Sequence, residues 1–347
     1  MTDLVLNVNG QNYRGWQQIH VRRSIEQLTG RFDLTVSDRW AIDAQPWTIT
    51  MGDACTLTLD GERVISGYVD DTLPQFDAQQ HQIQVIGRDK TADLVDCSAV
   101  WKTGQWNERT LLQIATDLAT PFGLTVSASA DVGAPFKSFT LAQGESGFEA
   151  IERAARMRGL LLTSDADGNL MLGRAGTERV ATALVQGKNI KAARGRFSLR
   201  DRYSDYRVKG SQPADNWTSA EQAAAPVSEP ICDPAVGRHR PLVIIAESAG
   251  DNAALTERAI WEAAVRMGRS ARAVVTVSGW SHTAGLWQPN RIVPVDCPYL
   301  GLQGDMLIAA VDYDRDQDGT RAELELVRPE AFELRAVPEP QEDSSWN

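Results

Sequence analysis

Alternation with a period of two, broken by Asn-Gly and Asp-Gly pairs, constrains this chain more than any other feature. Val5, Leu6 and Val8 precede a turn at Asn9-Gly10. Phe32, Leu34 and Val36 alternate with Asp33 and Thr35. Cys55, Leu57 and Leu59 alternate with Thr56 and Thr58 before Asp60-Gly61, and apolar runs follow at Val64–Val69 and Ile83–Ile86. Side chains on a strand point alternately to opposite faces, so such a pattern buries one face and wets the other. Asn-Gly and Asp-Gly supply the positive φ angles of tight hairpins. Residues 1–89 therefore read as several short antiparallel strands, a small barrel or sandwich.

From residue 98 the period changes. Asn107 precedes a helical pattern in which Leu111, Ile114, Ala115, Leu118, Ala119 and Phe122 share a face, with Gly123 as its stop. Ser146 and Glu149 form a capping box ahead of a second helix carrying Ala150, Ile151, Ala154 and Ala155 and ending at Gly159. Leu160–Thr163 and Asn169–Leu172 pair across Asp165-Ala166-Asp167-Gly168 as a hairpin, completing an α+β unit. Strands return at Phe197-Ser198-Leu199 and Tyr206-Arg207-Val208, and residues 211–238, rich in Ala, Pro, Ser and Glu, read as a mobile surface loop. A third helix is predicted over about 252–267, with Leu255, Ala259, Ile260, Ala263 and Met267 on one face. Strands resume at Ala273–Val277, Arg291–Val295, Met306–Tyr313 and Arg321–Val327, and the tail from Pro338 reads as disordered.

Two stretches echo each other. Trp47, the strand Cys55–Leu59, a hairpin strand ending in Val69-Asp70 and the strand Gln82–Ile86 parallel Trp287, Ile292–Val295, Met306 to Val311-Asp312 and Glu323–Val327. The match is one of pattern more than identity, and it predicts two β units of one kind in a single chain. The fold class is thus mainly β with an α+β insert, multi-domain, with two small antiparallel β-barrels plus a helix-containing domain.

Composition narrows the chemistry. The net charge is −11, which disfavours a dedicated grip on a phosphate backbone. No apolar run reaches the roughly 18 residues of a membrane span, so no integral membrane segment is expected, and Met1-Thr2-Asp3-Leu4 lacks the features of a secretory signal. Cys55, Cys97, Cys232 and Cys297 are far apart and show no zinc or disulfide spacing. Asp314, Asp316, Asp318, Gly319 and Glu325 fit a calcium-loop pattern. Their flanks alternate as strands, and Arg321 stands where that loop takes an aliphatic residue, so the segment reads as a polar hairpin and no metal is expected. Nucleophile elbows, paired zinc-binding histidines and phosphate-binding glycine loops are absent. His20, His81, His239 and His282 are scattered, so neither a catalytic residue nor a cofactor is expected. Arg194, Arg196, Arg200, Arg202 and Arg207 are interleaved with Asp201 and Asp205, a pattern for pairing with carboxylates within or between subunits.

Four motifs carry a family resemblance: Gly87-Arg88-Asp89-Lys90-Thr91-Ala92-Asp93-Leu94-Val95-Asp96-Cys97, Arg200-Asp201-Arg202-Tyr203-Ser204-Asp205-Tyr206-Arg207-Val208-Lys209-Gly210, Leu286-Trp287-Gln288-Pro289-Asn290, and Gly319-Thr320-Arg321 through Arg328-Pro329-Glu330-Ala331-Phe332. With them, nearly the whole chain resembles the baseplate hub of Mu-like contractile-tailed phages, related to the hub portion of type VI secretion spikes. The resemblance implies a homotrimer with two tube-like barrels per chain, building a pseudo-six-fold ring between a six-fold tail tube and a three-fold central spike. The expected domains are residues 1–97 (first barrel), 98–190 (α+β), 191–212 with 270–337 (second barrel), 213–269 (a loop and helix packing with the α+β domain) and 338–347 (tail). Expected partners are the spike, the tube or tube-initiator protein and other baseplate proteins, with DNA passing through without specific binding. The expected location is the virion tail, assembled in the host cytoplasm. Interface residues expected between subunits or domains are Arg88, Asp89, Asp201 and Arg202, where opposite charges sit beside strands, and Trp287, an aromatic near a strand end. A peptidoglycan-degrading tail enzyme and a hub segment of a type VI-like spike are the alternatives.

Overall fold

The computed structural model describes residues 3–37, 49–77, 81–176, 178–210, 227–245 and 252–333. Trp40, Trp47, much of the 211–238 loop and the tail lie outside those residues. The first β unit comprises β1 (Leu4–Val8), β2 (Gln11–Tyr13), β3 (Gln18–Ser24), β4 (Arg31–Ser37), β5 (Ala54–Leu59), β6 (Glu62–Phe76) and β7 (His81–Asp89). The alternation does what it implies: Leu4, Leu6, Val8, Leu57, Leu59, Phe32, Leu34 and Val85 are buried, and the residues between them face out. Asp60-Gly61 turns β5 into β6, with Leu59 opposite Glu62. Gly67 is required by close approach, since a Cβ there would lie 1.9 Å from the Arg88 carbonyl oxygen on the neighbouring strand.

A short helix, α1 (Thr91–Asp96), leads into the α+β unit: β8 (Gln105–Arg109), α2 (Leu111–Ala119), β9 (Val126–Ala128), β10 (Phe136–Thr140), α3 (Gly147–Met157), β11 (Leu161–Ser164) and β12 (Leu170–Gly173). Both helices open on capping boxes, Thr110 with Gln113 and Ser146 with Glu149. The first is a correction: Asn107 lies in β8, and Thr110 caps the helix three residues later. The predicted apolar faces of α2 and α3 meet in a core with Leu160, Leu162, Leu170 and Leu172 from the hairpin.

The remaining elements are β13 (Leu184–Val185), β14 (Ile190–Phe197), β15 (Asp205–Lys209), β16 (Ile231–Cys232), β17 (Pro241–Ile245), α4 (Asn252–Arg269), β18 (Ala271–Ser278), β19 (Ser281–His282), β20 (Gly285–Leu286), β21 (Ile292–Cys297), β22 (Leu302–Asp316) and β23 (Gly319–Val327). Tyr206–Val208 does not extend the second β unit. It lies in β15, at the centre of a small separate sheet ordered β16-β15-β17. Helix α4 packs on this sheet through Leu255 and Ala259, forming a core with Tyr206 and Val208 rather than with the α+β unit. Its predicted stripe is narrower than expected, because Ile260 and Met267 are exposed.

Among the described residues the large sheet has 13 strands, and its main path runs β14-β18-β23-β22-β3-β4-β7-β6-β5-β1-β2, with β21 and β13 branching from β22. Within it the echo becomes topology. The order β3-β4-β7-β6-β5 in the first unit is matched by β14-β18-β23-β22-β21 in the second, antiparallel throughout. Each 15-residue strand, β6 and β22, carries a bulge against its hairpin partner, between Val69 and Asp71 and between Ile308 and Ala310. The bulges align Asp70 with Ala309, so the Val-Asp pairs at 69–70 and 311–312 are not equivalent, and both strands run on well past them. The units join edge to edge through β22 and β3. Among the described residues no ladder closes either unit into a barrel.

Candidate subunit and domain interfaces

On β7, Arg88 and Asp89 are neighbours on a strand and so point to opposite faces. Arg88 reaches Asp70 at 2.6 Å and Asp96 at 2.9 Å, and these hydrogen bonds raise its pKa. Asp89 is 1 % exposed. It accepts the N–H of Gly30 at 2.7 Å, the N–H of Thr91 at 3.0 Å, and the hydroxyls of Thr91 and of Ser164, the last at 2.9 Å. Burial pushes its carboxyl up, and the Thr91 hydroxyl, the Gly30 N–H and the Ser164 hydroxyl oppose that shift. Ser164 belongs to β11, so Asp89 fastens the α+β unit to the first β unit, and Arg88 ties β6 and β7 to α1. Both residues brace one chain.

Arg202 grips Asp233 with two bonds of 2.7 and 2.6 Å in a pair that is 13% and 7% exposed at the side chain. Its pKa is raised by Asp233, and that of Asp233 is lowered by Arg202. Arg202 also reaches the Ser270 hydroxyl at 3.4 Å, so it holds the small sheet against the start of β18. Asp201, by contrast, is exposed. Of the other arginines in this stretch, Arg194 pairs with Glu323 at 3.3 Å and Arg207 with Asp205 at 3.3 Å.

Trp287 is 2 % exposed and lies in the large core, against the ring of His282. The Tyr313 hydroxyl donates to its carbonyl. The turn after it pins a linker. Asn290, at φ 64°, accepts the Gly176 N–H through Oδ1 at 2.6 Å. A Cβ on Gly176 would lie 1.9 Å from the Asn290 carbonyl oxygen. The Leu286–Asn290 motif thus fixes how the chain passes from the α+β unit into the second β unit.

The calcium-loop carboxylates are separated and engaged. Asp316 pairs with Arg321 at 2.8 Å across the hairpin, Asp314 accepts from His20 Nδ1 at 2.8 Å, and Glu325 bonds Arg22 at 2.9 Å and Arg272 at 3.0 Å. Asp318 is exposed at the tip. Sequence reasoning missed the network these residues build. His20 and Arg22 of β3 face Asp314 and Asp312 of β22 across the junction of the two β units. Arg272 then links Glu325 to Glu26. The hydrogen bond to Asp314 raises the His20 pKa, and burial raises that of Asp312. The signal was present as charges two residues apart on three strands, but nothing local indicates that β3 and β22 adjoin.

A cleft of about 620 Å³ lies where the three units meet. Its carboxylates are Asp165 and Glu178. Asp165 caps its own hairpin by accepting the N–H groups of Asp167 and Asn169, and Glu178 pairs with Arg291.

The comparisons bear on this architecture directly. The chain is 36% identical over 338 residues to the baseplate hub protein gp44 of Escherichia phage Mu, covering 95% of this chain and 88% of that protein. It belongs to the baseplate hub family of Mu-like phages. Three family profiles match: Mu phage baseplate assembly protein GpP-like, N-terminal, at residues 3–89; baseplate hub protein gp44-like, second domain, at 91–174; and the fourth domain of GpP at 251–335. A 43 kDa tail protein of prophage MuSo2 from Shewanella oneidensis is 39% identical, with a TM-score of 0.85 over 96% of this chain and 100% of that one. A type VI secretion component of E. coli, described as structurally similar to the T4 tail proteins gp27 and gp5, shares the fold at 10% identity, with a TM-score of 0.59 over 96% of this chain and 80% of that one. This hub protein is therefore a structural component of a phage tail baseplate. No helix among its described residues is long and apolar enough to cross a membrane.

Proposed function

We propose that three copies of this hub protein form a ring that joins the six-fold tail tube to the three-fold central spike, by geometry and without catalysis. The supporting observation is the duplicated strand order within one chain, bulge included. A trimer of such chains presents six similar β units around its axis, which turns three-fold into near-six-fold symmetry. The tube or its initiator, the spike and other baseplate proteins would then meet faces of matching symmetry, assembled in the host cytoplasm and carried in the virion. In this reading each β unit curls into a tube-like barrel wall in the assembled ring, with the α+β unit outside it.

The polar face of the continuous sheet bears on the channel. It alternates Arg22, Arg272 and Arg321 with Asp312, Glu325 and Asp316, largely in ion pairs. DNA sliding past such a face would meet compensated charges, which neither grip nor strongly repel a phosphate backbone. Size-exclusion chromatography with light scattering, alone and with tube and spike proteins, tests the reading. A trimer, and rings with six-fold pseudosymmetry by electron microscopy, are expected. A chain that stays monomeric with both partners present overturns it, and clearing of a peptidoglycan gel by the purified protein overturns the non-enzymatic part.

A further inference from the structure

The junction inside one chain has unpaired counterparts at two other strand edges among the described residues. In β22 the segment before the bulge pairs with β21, and the segment after it pairs with β3 of the first unit. The equivalent strand β6 pairs with β5 up to Tyr68. Beyond its bulge, from Asp71 to Gln75, no strand among the described residues lies on that side. The equivalent of β3 is β14, and it pairs with β18 on one side only. The topology thus leaves open the two edges that correspond to the paired edges β22 and β3.

We infer that the edge of β6 in one copy pairs antiparallel with β14 of the next copy, repeating between chains the β22–β3 ladder within a chain. The register follows from equivalence. The bulges set Asp71 on Ala310, and the pairs Arg31–Arg88 and Arg272–Val327 set Arg31 on Arg272. Arg22 lies opposite Arg31 and Arg196 opposite Arg272, so Arg22 corresponds to Arg196. The observed pairs Ala310–Ser24, Asp312–Arg22 and Asp314–His20 then become Asp71–Ser198, Leu73–Arg196 and Gln75–Arg194 between copies.

Exposure and charge agree with this. At the internal junction Asp312, the counterpart of Leu73, is 9% exposed, whereas at the open edges Leu73 is 45% and Phe197 54% exposed. The edge of β14 carries Lys191, Arg194 and Arg196 with no acid, and Asp71 falls diagonal to Arg196 in the inferred register. Pro74 lacks an N–H and offers one donor fewer than a full ladder. The buried Arg22–Asp312 pair is replaced by Arg196 against Leu73, so this junction is the weaker of the two and forms after the chain has folded. The contact is head-to-tail and closes into a ring at a copy number set by its rotation. That number, three, rests on the proposed function, but the pairing does not.

The test is disulfide capture in a background of C97S and C232S, which removes the exposed thiols. Residues opposite each other across an antiparallel ladder have Cβ atoms about 4.5–5.5 Å apart, close to disulfide range. L73C with R196C should therefore link copies into ladders ending at the closed ring on a non-reducing gel. L73C with K191C, shifted by about 17 Å along the strand, should not. Amides of residues 71–75 and 190–197 should also gain hydrogen-exchange protection as concentration rises. An oligomer by light scattering that shows no L73C–R196C link, or links the shifted pair equally, overturns this pairing and leaves the trimer standing. A chain that is monomeric at every concentration and with both partners present overturns the trimer as well.

Discussion

Replacing Asp89 by alanine tests whether the β7 motif braces the interior of one chain. The side chain accepts two backbone N–H groups, those of Gly30 and Thr91, and two hydroxyls. The hydroxyls can rotate to other acceptors. Thr91 Oγ1, for one, already lies 3.3 Å from Thr29 Oγ1. The N–H groups cannot turn away, and each buried orphan costs about 1–3 kcal/mol. Removing the carboxylate also returns the cost of burying it, which moderates the total. The expected loss is about 4 kcal/mol, large against ordinary single substitutions. Asp89→Asn keeps one acceptor oxygen but turns an amide donor toward existing donors, and should lose about half as much. Urea unfolding gives the midpoint and slope for each protein. Because Ser164 lies in the α+β unit, hydrogen exchange in β11 and β12 should rise more than in β4. A loss below about 1 kcal/mol for the alanine variant, with the slope unchanged, would refute the reasoning, since it would mean the four donors find other partners at little cost.

Three further outcomes follow from the same geometry. His20 has a pKa raised above its ordinary 6.5 by Asp314, with Asp312 beside it on β22, Asp33 opposite on β4, Arg31 opposing and Arg22 two residues along β3. A raised folded pKa gives stability that is full below 6.5 and is lost as pH rises through the folded value, so the gap in unfolding midpoint between wild type and His20→Gln should shrink from pH 6 to pH 9. Arg202→Ala should destabilise by about 3–5 kcal/mol, the cost of stranding the buried Asp233 carboxylate. Exchange should rise in β15–β17 while the oligomeric state by light scattering stays the same, and a changed oligomer would mean that Arg202 serves a neighbouring copy. Millimolar calcium should leave the melting temperature unmoved, because Asp316 and Glu325 are held by arginines, and a calcium-dependent rise would signal a site that binds the folded state.

The legible parts of the fold were those whose cause is local. Alternation placed β4, β5 and β23 because each of these strands buries one face, and the Ser146–Glu149 box placed α3 because both partners lie within one turn. The small sheet was obscured because Val243 and Ile245 of β17 face outward, so its alternation is not one of apolar and polar residues. The adjacent charges Arg88 and Asp89 mark an interface between subunits or domains, and Asp89 joins the α+β unit to the first β unit through Ser164. On a strand they face opposite sides, and each found its partner within the chain. The His20–Asp314 contact joins residues 294 apart, and no local pattern shows that separation to be closed.

The bulges give the duplication its architectural meaning. An uninterrupted strand of 15 residues would present one flat edge along its whole length to one neighbour. A bulge bends the strand and increases its twist, so its second half leaves the neighbour of the first half and becomes free to take another. In β22 the change of partner is visible: β21 ends its pairing at Leu307, and β3 begins at Ala310, directly across the bulge between Ile308 and Ala310. In β6 the same bend occurs at the same place in the unit, after β5 has ended. A bend retained in both units, though among the described residues only β22 changes partner there, argues that β6 also meets a second strand. It further argues that the repeating element of the proposed ring is the single β unit rather than the chain.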